Sequence, residues 1–145
     1  MKNSVALLFL LACCSTLFVG CASGPRYSEM SASLPALPPD SGRIYFYRKS
    51  VMGAAVQPTV KLNGEAVGTA APGGFFYVDR PAGNYTIETT TEVKRELGLT
   101  LDKGQQRYVR FNIALGFFIG HVYPELIEDE KGKKEIASCH YTGPR

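Results

Sequence analysis

The stretch TVKLNGEAVGTAAPGGFFYVDRPAGNYTIET, Thr59 to Thr89, decides the architecture. Short runs of alternating apolar residues are cut there by Asn63-Gly64, Pro72-Gly73-Gly74 and Pro81-Ala82-Gly83-Asn84. Asn-Gly is the preferred dipeptide of a two-residue hairpin turn, because both of its central residues take positive φ. The rhythm is therefore strand, hairpin, strand, turn, strand. Counting back from Asn63-Gly64 sets Val60 opposite Val67 as an apolar cross-strand pair.

Working outward toward the N-terminus, Arg43-Ile44-Tyr45-Phe46-Tyr47-Arg48-Lys49 is a strand with Ile44 and Phe46 on one face. Tyr45 and Tyr47 take the other face, since side chains alternate with a period of two. A loose segment, Ser50 to Pro58, follows it. Toward the C-terminus Phe75 to Val78 is a strand, and Tyr85, Ile87 and Thr89 line one side of the next. Leu97, Leu99 and Leu101 alternate, Asp102-Lys103-Gly104 turns the chain, and Val109, Phe111 and Ile113 alternate again. Glu125 to Glu128 reads as a further strand, and Lys133 to Tyr141 as strand or short helix. Seven or eight short strands of this kind predict an all-β, antiparallel β-sandwich.

The first residues are a targeting segment and not part of the fold. Lys2 supplies a positive start, and Val5 to Val19 is an apolar run shorter than the ~20 residues of a membrane-spanning helix. The run ends at Phe18-Val19-Gly20-Cys21, which resembles the lipobox of bacterial lipoproteins, with Phe18 where leucine is usual. The resemblance implies cleavage before Cys21 and acylation of that cysteine. Leu10-Leu11-Ala12-Cys13 is a competing box behind a much shorter apolar run, and an ordinary secretory signal is the other reading. The expected organisation is signal peptide over 1–20, lipidated Cys21 and flexible tether over 21–41, and β-sandwich over 42–145. A tether of twenty residues, rich in Ser and Pro, would reach at most ~60 Å. Ala22 follows the anchor cysteine where aspartate would mark inner-membrane retention. The expected location is therefore the bacterial cell envelope, at the outer membrane facing the periplasm.

Of four cysteines, Cys13 and Cys14 leave with the signal and Cys21 is the anchor, so Cys139 has no partner within its own chain. It is expected to be buried, and pairing between chains is the alternative. The net charge is +3, and removing 1–20 takes away Lys2 only, leaving fifteen basic and thirteen acidic side chains. These are scattered without a basic block, so nucleic-acid binding has no support. His121 and His140 are the only histidines. No nucleophile elbow, phosphate-binding loop or HExxH helix is present, and no enzymatic activity, cofactor or metal is expected. Asp79 beside Arg80 reads as turn charge. Glu128-Asp129-Glu130, with Lys131, Lys133 and Lys134, reads as a solvated hairpin tip, with a cation site as the less favoured reading.

Four segments in order carry a wider resemblance: Arg43 to Arg48, Val60 to Gly68, Gly74 to Val78, and Pro81 to Tyr85. Together they resemble a family of small bacterial lipoproteins classed as a domain of unknown function. The middle is also similar to PEGA-type and carboxypeptidase-regulatory-like repeats, in which an Asn-Gly hairpin and a Pro-x-Gly-x-Tyr turn recur. That resemblance implies a transthyretin-like or Ig-like sandwich without known catalytic residues. The expected function is a membrane-anchored, non-catalytic module for an envelope protein partner or assembly. The alternative is a small-ligand or glycan binder that uses exposed aromatic side chains. Tyr45, Tyr47, Phe75 and Tyr77, opposite the core faces of their strands, are the candidate surface. Gly116 to Val122 adds Phe117 and Phe118, two of three consecutive large apolar residues, which are either core or a docking patch.

Overall fold

The structure is a computed structural model that describes residues 22–90, 95–114 and 121–144. Among the described residues nine strands form two sheets: β1 Ser41–Tyr47, β2 Thr59–Leu62, β3 Glu65–Thr69, β4 Gly74–Pro81, β5 Gly83–Thr89, β6 Arg95–Leu101, β7 Gln106–Ala114, β8 His121–Ile127 and β9 His140–Tyr141. Two helices accompany them, α1 Tyr27–Met30 and α2 Asp129–Ile136, with a single 3₁₀ turn at Ser31–Ser33. One sheet runs β8-β7-β1-β4-β9 and the other β3-β2-β5-β6. The expected β-sandwich is thus present, with two departures from an antiparallel plan. β1 pairs β7 in parallel, and β4 pairs β9 in parallel.

Turn chemistry places the strands as the sequence predicts. Asn63 has φ 50° and Gly64 φ 83°, the two positive angles of a primed hairpin turn. Asn63 Oδ1 also accepts from the Thr86 amide at 2.7 Å, which ties the turn to β5. The register beyond it differs from the count. A bulge between Val60 and Lys61 sets Val60 opposite Gly68 instead of Val67. The reason is visible at Gly68, where an added Cβ would come within 2.6 Å of the Phe76 ring. The Pro81 to Gly83 corner carries the chain from one sheet to the other, and Tyr85 closes it by donating its hydroxyl to the Pro81 carbonyl at 2.7 Å.

The residues between the sheets follow the alternation. Ile44, Phe46, Val60, Leu62, Ile87, Leu99, Leu101, Val109, Phe111 and Val122 form one buried cluster. Phe46 stacks between Phe76 and Phe111, at 5.0 and 6.1 Å between ring centres.

A second core lies on the outer face of the five-stranded sheet. Tyr45, Tyr47, Phe75, Tyr108 and Ile127 pack there under Tyr27, Ile136 and Cys139. The molecule has three layers: sheet, sheet, and a cover made by α1 and α2. Two expectations are corrected here. Residues 21–41 were expected to be a flexible tether, yet the chain from Gly24 onward is folded on the domain. Tyr27 is only 7% exposed, its amide donates to the Cys139 carbonyl at 2.9 Å, and Arg26 bridges His140 beside β9. The acidic run was expected at a hairpin tip, yet it starts α2. Glu128 caps that helix by accepting from the Glu130 and Lys131 amides at 3.1 Å each.

Candidate functional site

Arg48 follows directly on the end of β1, two residues beyond Phe46, and is fully buried. Among the described residues no carboxylate meets it. Its Nη1 donates to the carbonyls of Val56 (2.6 Å) and Ala70 (3.2 Å), and its Nη2 to those of Met52 (2.6 Å) and Gly53 (3.0 Å). Nε has no partner. Burial pushes the pKa of the guanidinium down, although an arginine stays protonated at any physiological pH. Four carbonyl dipoles therefore hold one buried cation, and the cation holds the loop. Gly53 turns that loop at φ +64°, where an added Cβ would meet Ile113 Cδ1 at 2.2 Å.

The pinned loop presents two apolar side chains to solvent. Val51 is 66% exposed and Met52 58%, the most exposed large apolar residues among those described. They form one lip of a groove of about 710 Å³, whose other walls include Arg110, Asn112, Ile113, Tyr123 and Glu135. Tyr123, from β8, is also exposed. Below it runs an ionic network. Arg110 Nη1 donates to both oxygens of Glu135 at 2.9 Å, and its Nη2 donates to Glu125 at 2.8 Å. Asn112 donates to the same Glu125 oxygen at 2.6 Å, and the Tyr47 hydroxyl to Glu135 at 2.8 Å.

The electrostatics of this network are those of fixed charges. The Arg110 hydrogen bond holds the Glu125 carboxyl below its ordinary range. Burial works against ionisation of Glu135, but the Tyr47 hydroxyl and Arg110 outweigh it and lower that carboxyl too. Burial and the Glu135 charge push the Tyr47 phenol up. Each of these groups is held in one protonation state near neutrality, which suits recognition better than proton transfer. Among the described residues no group of three or more His, Cys, Asp or Glu is placed to hold a metal ion.

The residues singled out in the sequence fare differently. Tyr45, Tyr47 and Phe75, expected on the surface, are 2%, 1% and 0% exposed, so that expectation is corrected for all three. The alternation was read properly, but α1, α2 and the segment before β1 cover that face. Tyr77 is half-buried, with the Arg43 guanidinium 4.4 Å above its ring. Arg43 in turn donates to both oxygens of Asp79, at 2.6 and 2.8 Å, so Asp79 is a strand residue in an ion pair and not turn charge. Cys21, Phe117 and Phe118 lie outside the described residues. Cys139 is buried, as expected, and burial pushes its thiol up to about 11. A second hollow of about 410 Å³ lies between the N-terminal segment and the sheet, lined by Tyr27, Tyr45, Arg43 and Lys133. Its one buried cation, Arg43, is already engaged by Asp79 and by the Pro35 carbonyl at 2.9 Å.

Arg48 and the Val51-Met52 lip were missed in the sequence. The signal for Arg48 was present: Ile44, Phe46 and Arg48 share one face by period two, which puts a cation at a core position.

Residues 38–122 match a family model described as "Protein of unknown function (DUF2846)". An uncharacterized protein of Haemophilus influenzae (strain ATCC 51907 / DSM 11121 / KW20 / Rd) is 29% identical over 129 residues, covering 86% of this chain and 77% of that protein. A solved structure of the N-terminal domain of AlgF from P. aeruginosa superposes with a TM-score of 0.42 and 16% identity, over 62% of this chain and 99% of that one.

Proposed function

This chain belongs to the DUF2846 family, proteins of unknown function, and from that premise we propose that it is a lipid-anchored envelope protein whose β-sandwich is a non-catalytic protein-interaction module. The observation that carries the reading is the Val51-Met52 lip. An apolar pair this exposed is usually mobile or avoided, whereas here a fully buried arginine fixes the backbone beneath it. Preorganisation of that kind lowers the entropy cost of docking a partner. The surroundings have the anatomy of a small interface, an apolar centre at Val51, Met52, Ile113 and Tyr123 with charged residues Lys49, Arg110 and Glu135 around it. The small-ligand alternative loses most of its motivation, because three of the four described aromatics it relied on are buried.

Anchoring rests on the lipobox-like Phe18 to Cys21, and the periplasmic face of the outer membrane on Ala22 after it. Among the described residues no helix is long and apolar enough to cross a membrane. The likeness to PEGA-type repeats is supported by the Asn63-Gly64 hairpin and the Tyr85-closed corner, both of which are turn chemistry.

The test is a Val51→Ser, Met52→Ser double variant, expressed with its anchor and crosslinked in the native envelope. Both side chains point to solvent, so the unfolding free energy should stay within ~0.5 kcal/mol of wild type. Crosslinked partner should fall sharply. Undiminished crosslinking would remove this lip from any binding role.

A further inference from the structure

We infer that the β9 edge of the domain rests on the lipid headgroups of the membrane that holds Cys21. The inference rests on the lipoprotein reading above and deepens it. The chain joins the fold much earlier than a tether would allow. Gly24 accepts from His140 Nδ1 at 2.7 Å, the Tyr141 amide donates to the Pro25 carbonyl at 2.9 Å, and Tyr27 closes the ladder onto Cys139. Residues 24–27 thus lie as a short extra strand along β9.

Only Ala22 and Ser23 lie between Cys21 and Gly24. Fully extended, the three steps from Cys21 to Gly24 span ~10 Å. The headgroup layer on each side of the hydrocarbon is itself roughly 5–8 Å thick. A chain acylated at Cys21 therefore has almost no slack beyond the headgroups, and the surface around Gly24 must meet them. That surface suits the contact. Neither 22–26 nor 140–144 contains an acidic residue, and Arg26 is exposed beside half-buried Tyr141. A cation next to an aromatic ring is the pairing found at membrane interfaces.

The sheet order then fixes what faces away. β8, which carries the exposed Leu126, lies four strand positions from β9. At ~4.8 Å per strand that is ~19 Å from the anchored edge. The membrane holds the β9 edge, and β8 stands clear of it.

The experiment uses the full lipidated chain in vesicles of phosphatidylethanolamine and phosphatidylglycerol that carry a headgroup nitroxide lipid. A fluorophore is placed on Pro144→Cys or, separately, on Leu126→Cys, an exposed site on β8. Cys139, buried with a raised thiol pKa, stays unlabelled at neutral pH. Quenching should be several-fold stronger at position 144 than at 126. Equal quenching, or stronger quenching at 126, overturns the inference. Inserting twenty Gly/Ser residues between Ala22 and Ser23 should abolish the difference; a difference that survives the spacer also overturns it. Cys21→Ser reports on the premise alone. That variant should leave the vesicle fraction and lose labelling by a fatty-acid analogue, and if it does neither, the lipoprotein reading fails whatever the quenching shows.

Discussion

Arg48 is the residue on which the groove depends. A fully buried guanidinium with no carboxylate partner among the described residues is costly, and removing it takes a donor from four carbonyls, of which Gly53's also accepts from the Val56 amide. These two effects oppose each other in an Arg48→Met variant. The loop carbonyls at Met52 and Gly53 sit near solvent and can turn to water, so the loop should loosen before the sandwich unfolds. We expect a loss of ~1–3 kcal/mol in global stability, from unsatisfied buried acceptors. Amide exchange over 50–57 should rise much more than exchange in β7. Crosslinked partner should fall even though Val51 and Met52 are intact. Protection over 50–57 equal to wild type would show that the arginine does not hold the loop.

At the scale of elements, α2 illustrates what a sequence shows and what it hides. Its eight residues include Gly132, and Ala in place of a helix-interior glycine ordinarily gains ~1 kcal/mol. Here an added Cβ would lie 2.4 Å from Tyr108 Cβ and 2.5 Å from its Cγ, because the helix packs closely on β7. Gly132→Ala should therefore destabilise, with overpacking of ~1–3 kcal/mol outweighing the propensity gain. A raised denaturation midpoint would mean that α2 does not press on the sheet. Period-two alternation made the strands legible, and Asn63-Gly64 and Asp102-Gly104 marked their turns. α2 was only half legible: a short helix was one reading of Lys133 to Tyr141, but Asp129-Glu130-Lys131-Gly132 reads as a solvated charged turn until Glu128 is seen to cap it. The surface tyrosines were misplaced for the same reason. Alternation tells which face a side chain takes, and only tertiary packing tells whether that face is covered.

At the scale of the whole molecule, the cover over the second core determines where the domain begins. The family match spans 38–122 and so contains neither α1 nor α2. Sequence composition placed the boundary near Gly42, after a Ser- and Pro-rich stretch that has the look of a linker. Yet Tyr27 packs edge-on against Tyr45 and Phe75, at 5.5 and 5.4 Å between ring centres, with Met30 and Leu34 beside it. A chain shortened to start at Gly42 loses that ring, the Pro35 carbonyl that receives Arg43, and the strand-like pairing of 24–27 with β9. Three aromatics, Tyr45, Phe75 and Tyr108, would then lose cover on the outer face. Removing Tyr27 alone should cost about 3 kcal/mol or more, by analogy with truncating a buried aromatic. The two chains to compare are one starting at Ala22 and one starting at Gly42, both without signal or lipid. The longer chain should unfold at a clearly higher denaturant midpoint. The shorter should bind a hydrophobic dye in its native baseline, because its outer sheet face is open to water. Coincident midpoints with no dye binding would return residues 22–41 to the role of a tether, and with it the long reach that a tethered domain would have above the membrane.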